Sequence, residues 1–286
     1  MSESSSLKDV RLAFIGSGTM AEAIIAGLLS NRLVKPDQIV GSHPRQDRRQ
    51  ELESKYGIHV VESNKEAVEL VRGDVPESSI VVLTVKPQRL GVILTELKAT
   101  IAPEQLVVSI IAGAQIETIA NDLQHRVIVR SMPNTPAQIG EGMTVWTATP
   151  QVNEDQRKQI KAIFGALGRE LYVEEEKMVD MATALSATGP TYTFLMMEGL
   201  IDAGVHLGFS RHVSQELVLQ TMLGSVLFAR ESGKHPAELR NMVTSPGGTS
   251  AEAIYQMEKG SLRTVLSKAV WAAYRRTATL GRKVDE

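Results

Sequence analysis

The sequence predicts two domains, an N-terminal doubly wound α/β domain followed by an all-α domain. Three observations support this prediction. The chain has 286 residues, whereas a single domain usually has about 100–200. Short β-branched runs alternate with helical stretches up to residue 173, which is typical of a parallel sheet covered by helices on both faces. From Glu174 onward Ala, Leu, Met and Glu dominate and strand-like runs become rare, so we place the domains at residues 1–173 and 174–286.

The elements of the first domain follow from its apolar runs. Most predicted strands are continuously apolar, as expected for a parallel sheet that is buried on both faces. They are Val10–Ile15, Gln38–Ser42, Ile80–Val85, Leu106–Ile111, Val127–Ser131, Met143–Thr147 and Glu170–Val173. The helical stretches between them are Ala21–Ser30, Asp47–Tyr56, Lys65–Leu70, Arg89–Leu97, Ile116–Leu123 and Glu154–Leu167.

A strongly apolar helix is predicted early in the second domain. Pro190 suits the first turn of a helix, where its missing N–H costs nothing, and Thr191–Leu207 is apolar on more than one face. A helix that is apolar nearly all round must be enclosed by other helices. These belong either to the same chain or to a second subunit, and we favour a second subunit.

Composition and charge exclude several classes of protein. The 31 Lys and Arg nearly balance 33 Asp and Glu, so there is no basic field for general nucleic-acid binding. Cys is absent, which excludes disulfides and a thiolate nucleophile. The start, MSESSSLKD, lacks the features of a signal peptide, and no apolar run reaches the roughly 18–20 residues of a membrane span. We expect a cytoplasmic protein that binds neither membranes nor nucleic acid, with residues 1 to about 8 poorly ordered.

The first motif is a glycine turn between a predicted strand and a predicted helix. Gly16, Gly18 and Ala21 form G-x-G-x-x-A. The first glycine allows a tight turn, the second lets the backbone approach a pyrophosphate, and the alanine allows close packing of helix and strand. The start of the helix adds N–H donors and the positive end of its dipole. This context predicts a Rossmann-like dinucleotide site, the alternative being a tight turn that binds nothing.

The end of the second predicted strand indicates which dinucleotide binds. NAD-binding proteins usually have an acidic residue there that holds the ribose 2′-hydroxyl, whereas this strand ends in Gly41-Ser42-His43-Pro44-Arg45. Arg48 and Arg49 follow near the start of the next helix, where cations oppose the helix dipole, so a bound phosphate is a reason for their presence. We predict a preference for NADP, the alternative being a solvated face that Asp47 partly neutralises. Lys86, at the end of another strand, either faces the cofactor or is merely solvated.

Residues for most kinds of catalysis are missing. The six His residues show no i, i+3 or i, i+4 pairs that would bind a metal from one helix face. There is no G-x-S-x-G pattern for a serine nucleophile, and Glu174–Glu176 are expected to form a solvated turn. The cofactor must then carry the difficult step, and hydride transfer fits because the protein need only align donor and acceptor.

The second motif is a loop with two glycines and several hydroxyl groups, MVTSPGGTSAE, before an expected helix at Ala251–Met257. Backbone N–H groups and hydroxyls at a positive helix end form a site for a small anion such as a carboxylate. The alternative is ordinary N-capping of the helix by Thr249 or Ser250.

With both motifs in view, the sequence resembles the pyrroline-5-carboxylate reductase family. The resemblance runs from the glycine turn to the last helix and includes IGSGTMAEA, VKPQ, SIIAG, MPNTPAQIGEGMT and ATGPTY. The most specific stretch is HPAELRNMVTSPGGTSAEAI. The resemblance implies reduction of pyrroline-5-carboxylate to L-proline, NADPH as cofactor with NADH as the second choice, and a dimer with interlocked C-terminal helices or a pentamer of such dimers.

The resemblance also implies roles for individual residues. Catalytic roles fall to Ser250 and Thr249, and no metal is implied. Contacts with the substrate carboxylate and ring nitrogen fall to Ser245, Gly247, Gly248, Thr249 and Ser250. Cofactor contacts fall to Ile15, Gly16, Ser17, Gly18, Thr19, Met20, Ser42, His43, Arg45, Asn64, Val85, Lys86, Pro87, Ile111, Ala112 and Asn134. Ser42, His43 and Arg45 would meet the 2′-phosphate, Asn64 the adenosine ribose, and Asn134 the nicotinamide side.

Two segments depart from the family pattern. The family usually has Thr-Thr where this chain has Thr249-Ser250, and S-G-S-G-P-A-Y where this chain has SATGPTY. Ala187 and Thr191 are bulkier than the usual residues, which predicts a narrower pocket or an altered substrate.

Two alternatives to this function remain open. One is another NADP-dependent imine reductase or hydroxyacid dehydrogenase, although Gly189–Leu207 lacks the Lys usual in the latter. The other is a nucleotide-sensing relative without turnover.

Overall fold

The computed structural model describes residues 7–72 and 78–280. The chain divides into two compact units, Met1–Thr188 with Ala273–Glu286, and Gly189–Ala272. This division differs from the sequence-based one at residue 173. The short helix after Glu176 stays with the first unit because Glu176 and Asp180 both pair with Arg130 in the sheet.

The described residues of the first unit form one sheet of eight strands in the order β3-β2-β1-β4-β5-β6-β7-β8. Neighbouring strands are parallel except β6 and β7, which are antiparallel. The strands are β1 (Arg11–Ile15), β2 (Ile39–Ser42), β3 (His59–Val61), β4 (Ser79–Leu83), β5 (Leu106–Ser109), β6 (Ile128–Met132), β7 (Gly142–Ala148) and β8 (Gly168–Tyr172). This order confirms the predicted doubly wound class.

The helices alternate with the strands and then continue alone. They are α1 (Thr19–Ser30), α2 (Gln46–Tyr56), α3 (Asn64–Arg72), α4 (Leu90–Leu97), α5 (Ile116–Leu123), α6 (Glu154–Gly165), α7 (Lys177–Ala182), α8 (Gly189–His206), α9 (Arg211–Ser232), α10 (Pro236–Met242), α11 (Thr249–Lys259) and α12 (Leu262–Leu280). A π-helical segment, Thr183–Ala187, lies between α7 and α8. None of the described helices is both long and apolar enough to cross a membrane.

Two apolar clusters cover the two faces of the sheet. Alternate residues of β1 point to opposite faces, as the period of a strand requires. Leu12 and Phe14 join the cluster that contains α1 and α6, whereas Ala13 and Ile15 join the cluster that contains α3, α4 and α5. This two-sided burial is why the strands are continuously apolar, and it holds the loops at their carboxyl ends in fixed positions.

Sequence patterns missed some local features of the first unit. Strand β3 was not predicted because it has only three residues, which is too few for a periodic signal. Disorder at the start was predicted to extend to about residue 8, and this is wrong for Leu7, which is fully buried and whose carbonyl accepts a hydrogen bond from Gln38. Residues 1–6 of that prediction lie outside the described residues.

The second unit exposes the apolar helix that the sequence singled out. No residue of α8 is buried, and Phe194 and Leu195 are 58% and 68% exposed. Helices α8 and α9 do approach closely, since a Cβ on Gly204 would lie 2.7 Å from Ser214 Oγ. The described residues of the chain nevertheless leave most of the apolar surface of α8 uncovered, which agrees with coverage by a second subunit.

Candidate active site

The glycine turn has the geometry that the motif predicted. Gly16 has φ +88°, and a Cβ there would lie 2.6 Å from Val85 Cγ1, so a larger residue would strain the backbone and clash. Gly18 occupies the N-cap position of α1, and a Cβ there would meet nothing within 4 Å. The absence of a side chain at Gly18 therefore leaves open space at the start of the helix, where a pyrophosphate fits.

A cavity of about 340 Å³ adjoins this turn. It lies at the carboxyl edge of β1 to β4, which is the edge where doubly wound sheets bind ligands. Six of the predicted cofactor residues line it: Gly16, Gly18, His43, Asn64, Val85 and Lys86. The glycine turn, the open space at Gly18 and this cavity together fit a dinucleotide.

The cavity wall also contains residues that the sequence analysis missed. Glu62, Arg89 and Glu96 are the charged ones. Glu62 directly follows the missed strand β3, so recognising that strand would have located it. Glu96 lies in the last turn of α4, and no sequence signal indicated that this turn borders the cavity.

A chain of hydrogen bonds connects the cavity wall to the glycine turn. The Gly16 N–H donates to Ser42 Oγ (3.2 Å), and the Ser42 hydroxyl donates to Asn64 Oδ1 (2.7 Å). Asn64 Nδ2 in turn donates to Glu96 Oε2 (2.9 Å). Ser42 is fully buried, so its hydroxyl supports the glycine turn from the protein interior.

The remaining residues predicted on the turn differ in exposure. Ile15 is buried in β1. Ser17 is also buried, and a Cβ on Gly41 would lie 2.6 Å from its Oγ, which explains why β2 has a glycine at that point. Thr19 is exposed and Met20 half-buried in the first turn of α1.

The basic residues after β2 have different partners. Arg45 is exposed, with one weak ion pair to Asp47 at 3.7 Å. Arg49 donates to the carbonyls of His43 and Pro44, both at 2.9 Å. Arg48 is largely buried and pairs with Glu22. Partners within the chain thus account for the positions of Arg48 and Arg49 without a bound phosphate, and a phosphate contact of either residue stays a prediction.

His43 is held neutral in the free protein. Burial lowers the pKa of His43 below its ordinary 6.5; the backbone contact with Arg45 opposes this shift, and the positive charges of Arg45 and Arg48 add to it. The Arg45 N–H donates to His43 Nδ1 (3.2 Å), so the ring proton is on Nε2. A neutral imidazole with this tautomer can donate one hydrogen bond to a phosphate oxygen without adding charge.

Glu22, in the first turn of α1, is the centre of a second network. Burial alone would raise the pKa of Glu22, but hydrogen bonds from Lys55, Arg48 and Tyr56 outweigh it and lower that pKa from 4.5 to about 2. Glu22 is therefore ionised at neutral pH.

Replacement of Glu22 by Gln is expected to destabilise the protein in a pH-dependent way. Because the folded-state pKa of Glu22 is depressed, its contribution is complete above pH 4.5 and is lost as the pH falls toward 2. We expect the variant to lose about 2 kcal/mol of unfolding free energy at pH 7 and roughly half of that at pH 3. Urea unfolding of both proteins at these pH values checks this; a difference that does not shrink on acidification contradicts it.

The later predicted cofactor residues lie at neighbouring strand ends. Lys86 is exposed, and Pro87 begins a short 3-10 turn before α4. Ile111 and Ala112 follow β5 and do not line the cavity. Asn134 does not line it either. Its Oδ1 accepts from the Met143 N–H (2.8 Å) and its Nδ2 donates to the Ser186 carbonyl (3.3 Å), which ties the end of β6 to the π-helical segment.

The second motif forms an open helix start within the other unit. Gly247 has φ +70°, Gly248 occupies the N-cap position of α11, and no side chain caps this helix. The interpretation of Thr249 or Ser250 as N-caps is wrong, because both already lie inside the helix. The first N–H groups of a helix have no acceptor within it. Here the Ala251 and Glu252 N–H groups donate to the Gly248 carbonyl, so those of Thr249 and Ser250 are left for a small anion, together with the two side-chain hydroxyls.

Ser245 closes the loop on its other side. The Gly248 N–H donates to the Ser245 carbonyl (3.0 Å), and a Cβ on Gly248 would lie 2.5 Å from Ser245 Oγ. Gly248 is therefore required by close packing of its own loop. Among the described residues there is no group of three or more His, Asp or Glu that could hold a metal ion.

The fold and the glycine turn define a dinucleotide-dependent oxidoreductase. The chain is 40% identical to pyrroline-5-carboxylate reductase of Synechocystis sp. over 96% of its own length and 99% of that protein. It is 39% identical to pyrroline-5-carboxylate reductase of Pseudomonas aeruginosa over 96% and 98% of the two chains. The chain belongs to the pyrroline-5-carboxylate reductase family.

Two further comparisons agree with this assignment. Residues 176–280 match the family described as pyrroline-5-carboxylate reductase dimerisation, and residues 11–113 match the family described as NADP oxidoreductase, coenzyme F420-dependent. A crystal structure of Plasmodium falciparum pyrroline carboxylate reductase with NADP bound has a TM-score of 0.85 at 32% identity and covers 96% of this chain and 98% of its own. The resemblance that the sequence motifs indicated is thus confirmed.

Proposed function

We propose that this protein reduces pyrroline-5-carboxylate to L-proline with NADPH, the last step of proline biosynthesis. The observation that carries the proposal is a full-length similarity of 40% identity to a reductase of that name, combined with an uncapped helix start at the family's signature loop. When bound, NADPH supplies a hydride to the imine carbon of the substrate. The ring nitrogen also needs a proton, and the residues of this chain bind and orient the reactants.

The start of α11 supports a role in holding the substrate. The substrate is a cyclic imine with one carboxylate, and the N–H groups of Thr249 and Ser250 at the positive helix end suit that carboxylate. The Ser250 or Thr249 hydroxyl is then available to hydrogen-bond the ring nitrogen and fix its orientation. Neither hydroxyl has a pKa suited to proton donation near pH 7, so we propose positioning, with solvent as the proton source.

The carboxyl edge of β1 to β4 supports a role in holding the cofactor. The turn at Gly16 to Gly18 suits the pyrophosphate, and Asn64, with its amide oriented by Glu96, suits the adenosine ribose. Arg45 and neutral His43 suit the 2′-phosphate. We keep Ile111, Ala112 and Asn134 as proposed neighbours of the nicotinamide side.

Oligomeric assembly through the helical region accompanies this function. We propose a homodimer, or a pentamer of such dimers, formed by helices of residues 174–286, and a cytoplasmic location. Light scattering of the purified protein distinguishes the two assemblies, and cell fractionation tests the location.

One assay tests the reaction. Purified protein is mixed with pyrroline-5-carboxylate and NADPH, and the fall in NADPH absorbance is followed together with proline formation. Parallel reactions use NADH, or hydroxyacids with NADP in the reverse direction. A Gly18→Val variant is the control, because its side chain fills the space left for the pyrophosphate. Turnover of hydroxyacids, or equal rates for wild type and Gly18→Val, would contradict the proposal.

Arg45→Gln is expected to weaken use of NADPH selectively. Arg45 is exposed beside His43 at the end of β2, so its charge is free to meet the 2′-phosphate. Loss of one charge-assisted hydrogen bond at an exposed site predicts a rise of about tenfold in KM for NADPH and no change in KM for NADH. Steady-state kinetics with both cofactors measure this, and an equal rise for both would remove Arg45 from phosphate recognition.

A further inference from the structure

Arg48 makes three side-chain contacts, one to α1, one within α2 and one to the glycine turn. Its Nη2 pairs with Glu22 Oε2 at 2.5 Å and its Nη1 with Glu51 Oε2 at 2.8 Å. Its Nε donates to the backbone carbonyl of Ser17 at 3.3 Å. The side chains of Arg48 and Glu22 are only 12% and 19% exposed, so their contact lies largely away from solvent, whereas Glu51 is 54% exposed.

The contact with Ser17 acts on the part of the backbone that meets the cofactor. Ser17 lies between Gly16 and Gly18, and the C=O and N–H of a trans peptide point in opposite directions. A donor that fixes the Ser17 carbonyl therefore also fixes the orientation of the Gly18 N–H, which donates to the Gly16 carbonyl at 2.7 Å. The Ser17 N–H also donates to the Ser42 carbonyl at the end of β2 (2.9 Å), which restrains the same residue.

Glu22 holds the Arg48 guanidinium in this place. Glu22 lies in the first turn of α1, and its other oxygen accepts from Lys55 Nζ and Tyr56 Oη, both at 2.8 Å. The carboxylate is thus anchored from two sides. It also offsets the charge of Arg48, which leaves the exposed Arg45 as the cation of this segment that is available to a phosphate.

We propose that Arg48 is a positioning residue for the dinucleotide: it fixes the glycine turn for NADPH and NADH alike and does not read the 2′-phosphate. The inference rests on the proposed function only in that the cofactor is a dinucleotide. The two arginines of this basic segment then have separate roles. The exposed Arg45 binds the 2′-phosphate, and the buried Arg48 positions the glycine turn.

The test compares Arg48→Lys with Arg45→Gln as its matched control. A Lys at position 48 keeps a charge for Glu22 but has no second nitrogen for the Ser17 carbonyl. Binding of NADPH and of NADH is measured by fluorescence titration, and kcat, KM and Tm are measured on the same proteins. We expect Kd and KM to rise about tenfold for both cofactors by the same factor in Arg48→Lys, with kcat within about twofold of wild type. Arg45→Gln changes the NADPH values alone.

Two results would overturn the proposal. A rise confined to NADPH in Arg48→Lys would make Arg48 a phosphate reader, and a lower Tm with unchanged affinities would make it a structural ion pair only. If Arg48→Lys does not fold, Glu22→Gln is tested instead. This variant removes the carboxylate that anchors the Arg48 guanidinium, and it must weaken binding of NADPH and NADH equally. Because titration needs no substrate, a protein that binds both dinucleotides but does not reduce pyrroline-5-carboxylate would contradict the proposed function and leave this inference standing.

Discussion

Ser250→Ala is expected to lower kcat/KM for pyrroline-5-carboxylate by roughly 10²–10³-fold, the size seen when one well-placed donor is removed from a reacting centre. Ser250 lies in the first turn of α11, beside N–H groups that no side chain caps. In the proposed role the Ser250 hydroxyl orients the ring nitrogen for hydride transfer, and the variant lacks it. Steady-state kinetics measure the loss, and NADPH titration should give an unchanged Kd because the variant leaves the glycine turn intact.

The matched control is Ser250→Thr. The family usually has Thr at this position, so this variant keeps the hydroxyl and adds one methyl group, and its kcat/KM should stay within a few-fold of wild type. An unchanged kcat/KM in Ser250→Ala would remove this hydroxyl from the mechanism. A loss of equal size in Ser250→Thr would assign the effect to packing of the loop.

Arg130→Ala is expected to lower the free energy of unfolding by about 3–5 kcal/mol, as for other buried ion pairs that lose one partner. The Arg130 side chain is 1% exposed on β6 and pairs with Glu176 at 2.7 Å and with Asp180. Its removal leaves two carboxylates without their cation beside the sheet. Urea unfolding at pH 7 measures the loss.

Two further variants separate charge from packing at Arg130. Arg126→Ala removes an exposed arginine just before the same strand and should cost little. In Arg130→Met with Glu176→Gln and Asp180→Asn, no unpaired charge remains, and most of the loss should be recovered. A triple variant as unstable as Arg130→Ala would show that the charges are not the cause.

Regular patterns explain what the sequence predicted well. The two-sided burial of β1, β4 and β5 makes those strands continuously apolar, and the spacing of Gly16 and Gly18 reflects a turn that sterics require. Both signals are local in the chain, so they can be recognised without tertiary structure. The resemblance of the SPGGTS loop to its family was equally local and is confirmed by the comparisons.

Pairings between distant residues explain what the sequence did not predict. Glu176 was interpreted as part of a solvated acidic turn, yet it meets Arg130 from 46 positions away and accepts the Ile116 N–H as well. For Arg48 and Arg49 the sequence offered a bound phosphate or a solvated face, because their acceptors, Glu22 and two backbone carbonyls, are not recognisable from the spacing. A charged residue has no periodicity that identifies its partner, so such roles appear only when the chain is folded.

The uncovered apolar surface of α8 predicts that the stability of this protein depends on its concentration. If a second chain must cover Phe194 and Leu195, unfolding and dissociation become one equilibrium governed by mass action. The melting temperature should then climb with protein concentration. In a mixed dimer, a destabilised subunit would be stabilised by its wild-type partner, and the wild-type subunit would be less stable than in a dimer with another wild-type subunit.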